Sequence, residues 1–252
     1  MKAVFLGDAH LIGRQDPNFR RFVSFLDSLR EGGRIFAPGE LTDLFFVGDV
    51  FDFWFARGTS VYPPFEEIIA RLGALAAAGV RIHLCEGNHD FSLGDYFSRL
   101  GGFSVYEGWG EMEAEGIRIL FGHGDLVDGE NRRYLLLRRI LRSRAFYAFQ
   151  GLLPRRFLWE ASRAFSALSR DLEDGKSLAM FKKMESFARE RFREGYDAVV
   201  LGHCHVPHVG VWEERGRVCH FVTLGDWVRH FSYVTYDGKR GFVLDFQRET
   251  GG

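Results

Sequence analysis

Seven residues spread along this chain carry side chains that could together hold metal ions: Asp8, His10, Asp49, Asn88, His123, His203 and His205. They sit in five short motifs, in the order Asp8-Ala9-His10, Gly48-Asp49, Gly87-Asn88-His89-Asp90, Gly122-His123-Gly124-Asp125 and Gly202-His203-Cys204-His205. Carboxylate, amide and imidazole donors without a thiolate suit Mn, Fe or Zn better than an all-oxygen ion such as Ca. Two Asp, one Asn and four His are enough for two divalent cations side by side. Such a pair lowers the pKa of a water and clamps phosphoryl oxygens, so the expected chemistry is binuclear metal hydrolysis.

Each motif ends or follows an apolar run, which places it on the loop leaving a buried strand. Strands are predicted at 4–6, 44–47 and 80–85, with helices between them. Phe19, Phe22, Val23, Phe25, Leu26 and Leu29 repeat at helical spacing, and the Ala-rich stretch 68–78 ends at Gly79. This alternation argues for a buried sheet covered by helices, with the chemistry at strand ends. Apolar runs at 117–121 and 198–201 feed the two later His motifs. Runs at 209–212, 218–223, 231–236 and 241–246 read as successive antiparallel strands.

Composition bounds the remaining choices. The 252 residues fit one domain over 1–252, carrying an insertion. A net charge of −1 argues for no polyanionic partner, and nucleic acid is not expected. Cys85, Cys204 and Cys219 form no closely spaced pair, which suits a reducing cytosol. The first apolar run leads straight into the first motif, so no cleavable leader is expected. No run of 18 apolar residues offers a membrane span.

Residues 131–195 read as helical throughout and are expected to form an insertion, or lid, over the rest. The stretch 131–163 holds nine Arg against the single acid Glu160, interleaved with aromatic and aliphatic residues. A peripheral enzyme touching anionic lipid headgroups needs that mixture. An ordinary lid with solvated Arg would also produce it.

The five motifs in this order resemble the calcineurin-like metallophosphoesterases, from about residue 2 to 236. The resemblance implies a four-layer α-β-β-α sandwich with two divalent ions, Mn being the expected one. It implies that Asp8, His10, Asp49 and His205 hold one ion, and Asp49, Asn88, His123 and His203 the other. Asp49 would bridge them, His89 would act on the substrate, and Asp90 and Asp125 would orient the ligating histidines.

Residues 48–54 (Gly48-Asp49-Val50-Phe51-Asp52-Phe53-Trp54) narrow this further, because they are similar to a stretch of the UDP-2,3-diacylglucosamine hydrolases of lipid A synthesis. So are Phe91 after the third motif, Tyr134, Ser169 with the run 176–180, and the run 224–227. By this resemblance Ser169, Lys176, Tyr134 and Asn131 would contact substrate. That substrate would be a nucleotide-linked lipid, met in the cytoplasm at the inner face of the inner membrane. Four positions depart from the pattern: His89 replaces Arg, Val206 follows His205, Asn131 replaces Asp and Glu173 replaces Asn. The alternative reading is the same chemistry on another nucleotide or phosphoester.

Overall fold

Two β-sheets packed face to face, with helices outside, make up the chain as the computed structural model describes it: residues 1–54, 61–143, 145–146, 148–149, 154, 157–158, 160 and 177–247. In the first sheet β1 (Lys2–Leu6), β2 (Asp43–Val47), β3 (Arg81–Cys85) and β4 (Phe103–Tyr106) run parallel. In the second, β5 (Gly110–Ala114) pairs antiparallel with β6 (Ile117–Gly122), and β6 runs parallel to β7 (Ala198–Leu201).

The expected antiparallel tail is divided between the sheets. The hairpin of β8 (Pro207–Glu214) and β9 (Arg217–Leu224) joins the second sheet beside β7. The hairpin of β10 (Ser232–Asp237) and β11 (Gly241–Phe246) crosses to the first, against β1. The strand orders are β11-β10-β1-β2-β3-β4 and β5-β6-β7-β9-β8.

Strand alternation sorts the core into layers. Val4, Leu6, Leu44 and Phe46 face the helices outside the first sheet, while Ala3, Phe5, Phe45 and Val47 face the second sheet. Helix α1 (Pro17–Glu31) starts where Asp16 accepts from Asn18 N at 2.9 Å and Pro17 fixes the first turn. It buries Phe19, Phe22, Phe25, Leu26 and Leu29 at helical spacing. Helix α2 (Glu66–Ala77) adds Ile68, Ile69, Leu72 and Leu75 to the same layer. The abundant Phe is therefore mainly core, and each fully buried ring stabilises the fold by roughly 1.5–3 kcal/mol. Among the described residues Phe149, Phe157 and Phe246 are the exposed ones.

A short helix, α3 (Gly94–Phe97), follows the third motif. Two described helices fall in the region expected as an insertion. Helix α4 (Arg132–Leu141) buries none of its residues. Helix α5 (Ser177–Arg193) packs Met184, Ala188 and Phe192 on the second sheet and is the outer layer of the sandwich. The expected boundary at 195 thus runs past a helix that belongs to the four-layer core. No helix of the described residues is long and apolar enough to cross a membrane.

Candidate metal centre

Strands β1, β2 and β3 are parallel, so the loops carrying Asp8, Asp49 and Asn88 leave the first sheet at one end. Strands β6 and β7 of the facing sheet deliver His123, His203 and His205 to that end. The first two loops are zipped together: Asp8 N donates to Gly48 O at 3.0 Å, and Ala9 N and His10 N to Asp49 O at 2.8 and 3.0 Å.

The backbone through these loops is not extended. Asp8, His10, Asp49, His203 and His205 have φ of 50, 44, 51, 65 and 57°. Left-handed non-glycine residues are uncommon, cost on the order of 1–3 kcal/mol each and cluster at functional sites. A left-handed turn past the end of β1, not strand alternation, brings Asp8 and His10 together.

Two glycines leave the room that these side chains fill. A Cβ on Gly48, at φ 86°, would stand 2.4 Å from His123 Nδ1, and one on Gly87 would stand 1.9 Å from Asp49 Oδ1.

All seven expected ligands are brought to this one place. His205 Nε2 lies 3.3 Å from Asp8 Oδ1, and His123 Nε2 3.3 Å from Asp49 Oδ2 and 2.8 Å from Asn88 Oδ1. The His203 ring meets His123 edge-on at 4.9 Å, and the His10 ring lies 5.5 Å from His205. Ligand atoms of Asp8, His10 and His205 lie within 4.8 Å of one another, as do those of Asp8, Asp49 and His123. Asp8 Oδ1 and both ring nitrogens of His10 are buried without a hydrogen bond. Burying such groups unmade costs about 1–3 kcal/mol each, which is tolerable where a cation takes the lone pairs. The donors present fit a pair of divalent ions.

Charge is tightly coupled here. Burial pushes Asp49 up, but His123, His89 and His10 outweigh it and hold its carboxyl well below the usual range. Burial likewise opposes ionisation of Asp8, and His205 and His123 overcome it. His123 is driven well above the ordinary imidazole value by Asp49 and Asp8 despite its burial. His203 is pushed down to about 4 by burial and by the His123 charge.

The residues expected to support the ligands have definite partners. Asp90 accepts from four backbone N–H groups: Asp49 and Gly87 on Oδ1 at 2.9 and 3.0 Å, Val50 and Phe51 on Oδ2 at 2.7 and 3.1 Å. It ties the second and third loops together, although burial and the Asp49 charge raise its carboxyl to about 7. Asp125 accepts from Tyr134 Oη at 2.5 Å and Arg138 Nε at 2.9 Å. Asn131 caps α4 by accepting from Tyr134 N at 3.2 Å. Tyr134 and Asn131 are therefore engaged in seating α4. Ser169, Lys176 and Glu173 lie outside the described residues. His89 N donates to Asp49 Oδ1 at 2.8 Å, and its Nδ1 lies 3.2 Å from the Asp52 carbonyl.

Three carboxylates were not picked out as site residues by sequence reasoning. Asp52 Oδ1 lies 3.6 Å from His10 Nδ1. Asp226 lies 2.6 Å from His230 Nδ1 and 3.9 Å from His205 Nδ1, while its other oxygen takes the N–H groups of Val228, Arg229 and His230. Glu86, buried at the exit of β3, pairs with Arg142 and accepts from Leu93 N at 2.8 Å. Their local signal was adjacency to motifs: Asp52 three residues after Asp49, Glu86 two before Asn88. Cys204, the spacer between two ligands, packs into the apolar layer under α5, and burial raises its thiol to about 11.

Residues 1–207 match the family model described as calcineurin-like phosphoesterase. A UDP-2,3-diacylglucosamine hydrolase of Stenotrophomonas maltophilia (strain K279a) is 30% identical over 255 residues, covering 97% of this chain and 98% of its own. One from Pseudomonas savastanoi pv. phaseolicola is 30% identical over 260 residues, covering 98% and 97%. Among solved structures, Yfce, a phosphoesterase from E. coli, superposes with a TM-score of 0.47 at 19% identity, covering 100% of this chain and 96% of its own.

Proposed function

Because this chain belongs to the calcineurin-like phosphoesterases, metal-dependent hydrolases with a dinuclear centre, we propose that it hydrolyses UDP-2,3-diacylglucosamine at the pyrophosphate, giving UMP and 2,3-diacylglucosamine 1-phosphate. The observation that carries this substrate is the end-to-end match to relatives named for it.

Asp8, His10, Asp49 and His205 would hold one cation, and Asp49, Asn88, His123 and His203 the other, with Mn the expected ion. Bound there, the cations supply a more acidic water and charge to offset the phosphoryl oxygens in an in-line displacement. The chain's own part is orientation and proton transfer. Asp49, which would serve both cations, is held by the His89 amide on one oxygen and faces His123 on the other. With Nδ1–H turned to the Asp52 carbonyl, His89 would meet the phosphate through Nε2 and, as the imidazolium, give its Nε2 proton to the leaving oxygen, becoming the neutral ring. Asp52 and Asp226 would keep the His10 and His205 rings turned to the ions.

We place the work at the cytoplasmic face of the inner membrane. Leu136, Leu137 and Ile140 of α4 are exposed, 60, 44 and 49%, beside the exposed Arg132, Arg133 and Arg139. An apolar stripe flanked by Arg suits the boundary of an anionic bilayer. Ser169 and Lys176, which belong to the stretch expected as a lid, would grip sugar and phosphate.

A second reading, a different nucleotide or phosphoester, is favoured by His89, which stands where the resembled hydrolases carry Arg. Purified enzyme, Mn-loaded or chelated, assayed on UDP-2,3-diacylglucosamine beside bis-p-nitrophenyl phosphate, separates the two. Metal-dependent UMP release is expected. Cleavage of the diester alone would remove the lipid substrate and leave the metal chemistry.

A further inference from the structure

Arg142 caps the C-terminal end of α4 and reaches back onto the loop after β3. Its Nη1 pairs with the Glu86 carboxylate, its Nη2 donates to Gly87 O at 2.8 Å, and its guanidinium lies 5.4 Å over the Phe91 ring. These three partners bracket Asn88, His89 and Asp90 from both sides. The Glu86 side chain is buried, 2% exposed, and the Arg142 side chain is largely covered, 15% exposed.

Earlier along α4, Tyr134 and Arg138 hold Asp125, two residues past His123. Helix α4 thus spans from the loop of Asn88 to the loop of His123, whose side chains meet at 2.8 Å.

We infer that Arg142 is a positioning residue for the metal centre: through Glu86, Gly87 and Phe91 it sets the Asn88 turn against His123. The inference rests on the function proposed above. A buried ion pair contributes little net stability against apolar replacements, because desolvation offsets the attraction. It fixes geometry, and here the fixed object is the turn that carries a cation ligand. The task needs arginine, since two diverging N–H groups serve a carboxylate and a carbonyl while the planar group covers a ring. Lysine offers one compact ammonium and cannot meet all three partners.

The test is calorimetric titration of Mn2+ into the metal-stripped full chain, comparing wild type, Arg142→Lys, Glu86→Gln and the double variant. Wild type should bind two cations. In each single variant one site should weaken at least about tenfold while the other is unchanged. The double variant should bind no more weakly than the worse single one, and all should melt cooperatively. Unchanged affinity at both sites, or both sites falling together with loss of cooperative melting in both single variants, overturns the positioning role. Fewer than two cations bound by wild type overturns the underlying functional reading instead.

Discussion

His123 Nε2 lies 2.8 Å from Asn88 Oδ1, and the two residues leave strands of different sheets, β6 and β3. The candidate centre is therefore a seam. Its donors share one point in space only while the two sheets keep their packing, which Phe5, Phe45 and Phe121 secure between them. Phe5 and Phe45 stack at 4.3 Å, and Phe45 meets Phe121 edge-on at 5.1 Å.

Removing a ligand from that seam should separate catalysis from folding. Asp49→Ala and His123→Ala are each expected to lower kcat by about a thousandfold or more, with circular dichroism and cooperative melting retained. Activity within a few-fold of wild type in Asp49→Ala would sink the mechanism.

Stripping the metals should destabilise the chain, because the buried His10 Nε2 and Asp8 Oδ1 are then left without a partner. A ligand present at about 100 times its Kd contributes about 2.7 kcal/mol. Chelation should therefore lower Tm, and re-addition of Mn2+ restore it. A Tm indifferent to both treatments would argue against an ordered cation site.

The two carboxylates behind the histidines should act on metal affinity. Asp52→Asn and Asp226→Asn are expected to weaken one cation by about 10–100-fold. Titrations that match wild type in both variants would leave these groups as loop braces only.

Acid stability should report on a cluster far from the site. At the start of β2, Asp43 meets His83 at 3.0 Å and Arg81 at 2.8 Å. Burial raises its carboxyl, but His83, Arg81 and Thr42 outweigh it and bring it down to about 2. A depressed carboxyl contributes stability above its unfolded pKa of about 4 and loses it as pH falls toward 2, here about 2 kcal/mol at most. In urea denaturation, Asp43→Asn should be less stable than wild type at pH 7, and the gap should close below pH 4. A gap that persists at pH 2 would assign the loss to packing.

Membrane contact through α4 is testable by sedimentation with vesicles containing anionic lipid. Leu136→Glu combined with Ile140→Glu should abolish binding, while hydrolysis of a soluble diester is retained. Undiminished sedimentation would move the contact away from this helix.

Much of the site was legible because each motif is local: a strand, a tight exit and a donor lie within a few residues of one another. Asp8, Asp49, Asn88 and the four histidines could be read that way, and so could the parallel β-α-β start. The supports could not. Asp226 reaches His205 from the loop after β9, and Arg142 reaches Glu86 across 56 residues. Contacts at such separation leave no periodicity along the chain. Arginines that composition suggested for phosphate or lipid divide on structure: Arg138 and Arg142 are committed to protein partners, while Arg132, Arg133 and Arg139 face outward.

By itself the sequence determined which donors exist, in what order, and that each follows a buried strand, since side-chain chemistry and apolar runs are properties of short segments. Tertiary structure decided how they meet. Packing of the sheets brings β6 and β7 over β1 to β3, zippered loops hold Asp8, His10 and Asp49 in left-handed turns, and the last two hairpins are assigned to opposite sheets. Those outcomes depend on burying apolar faces against distant partners, a free energy that no single stretch of chain contains.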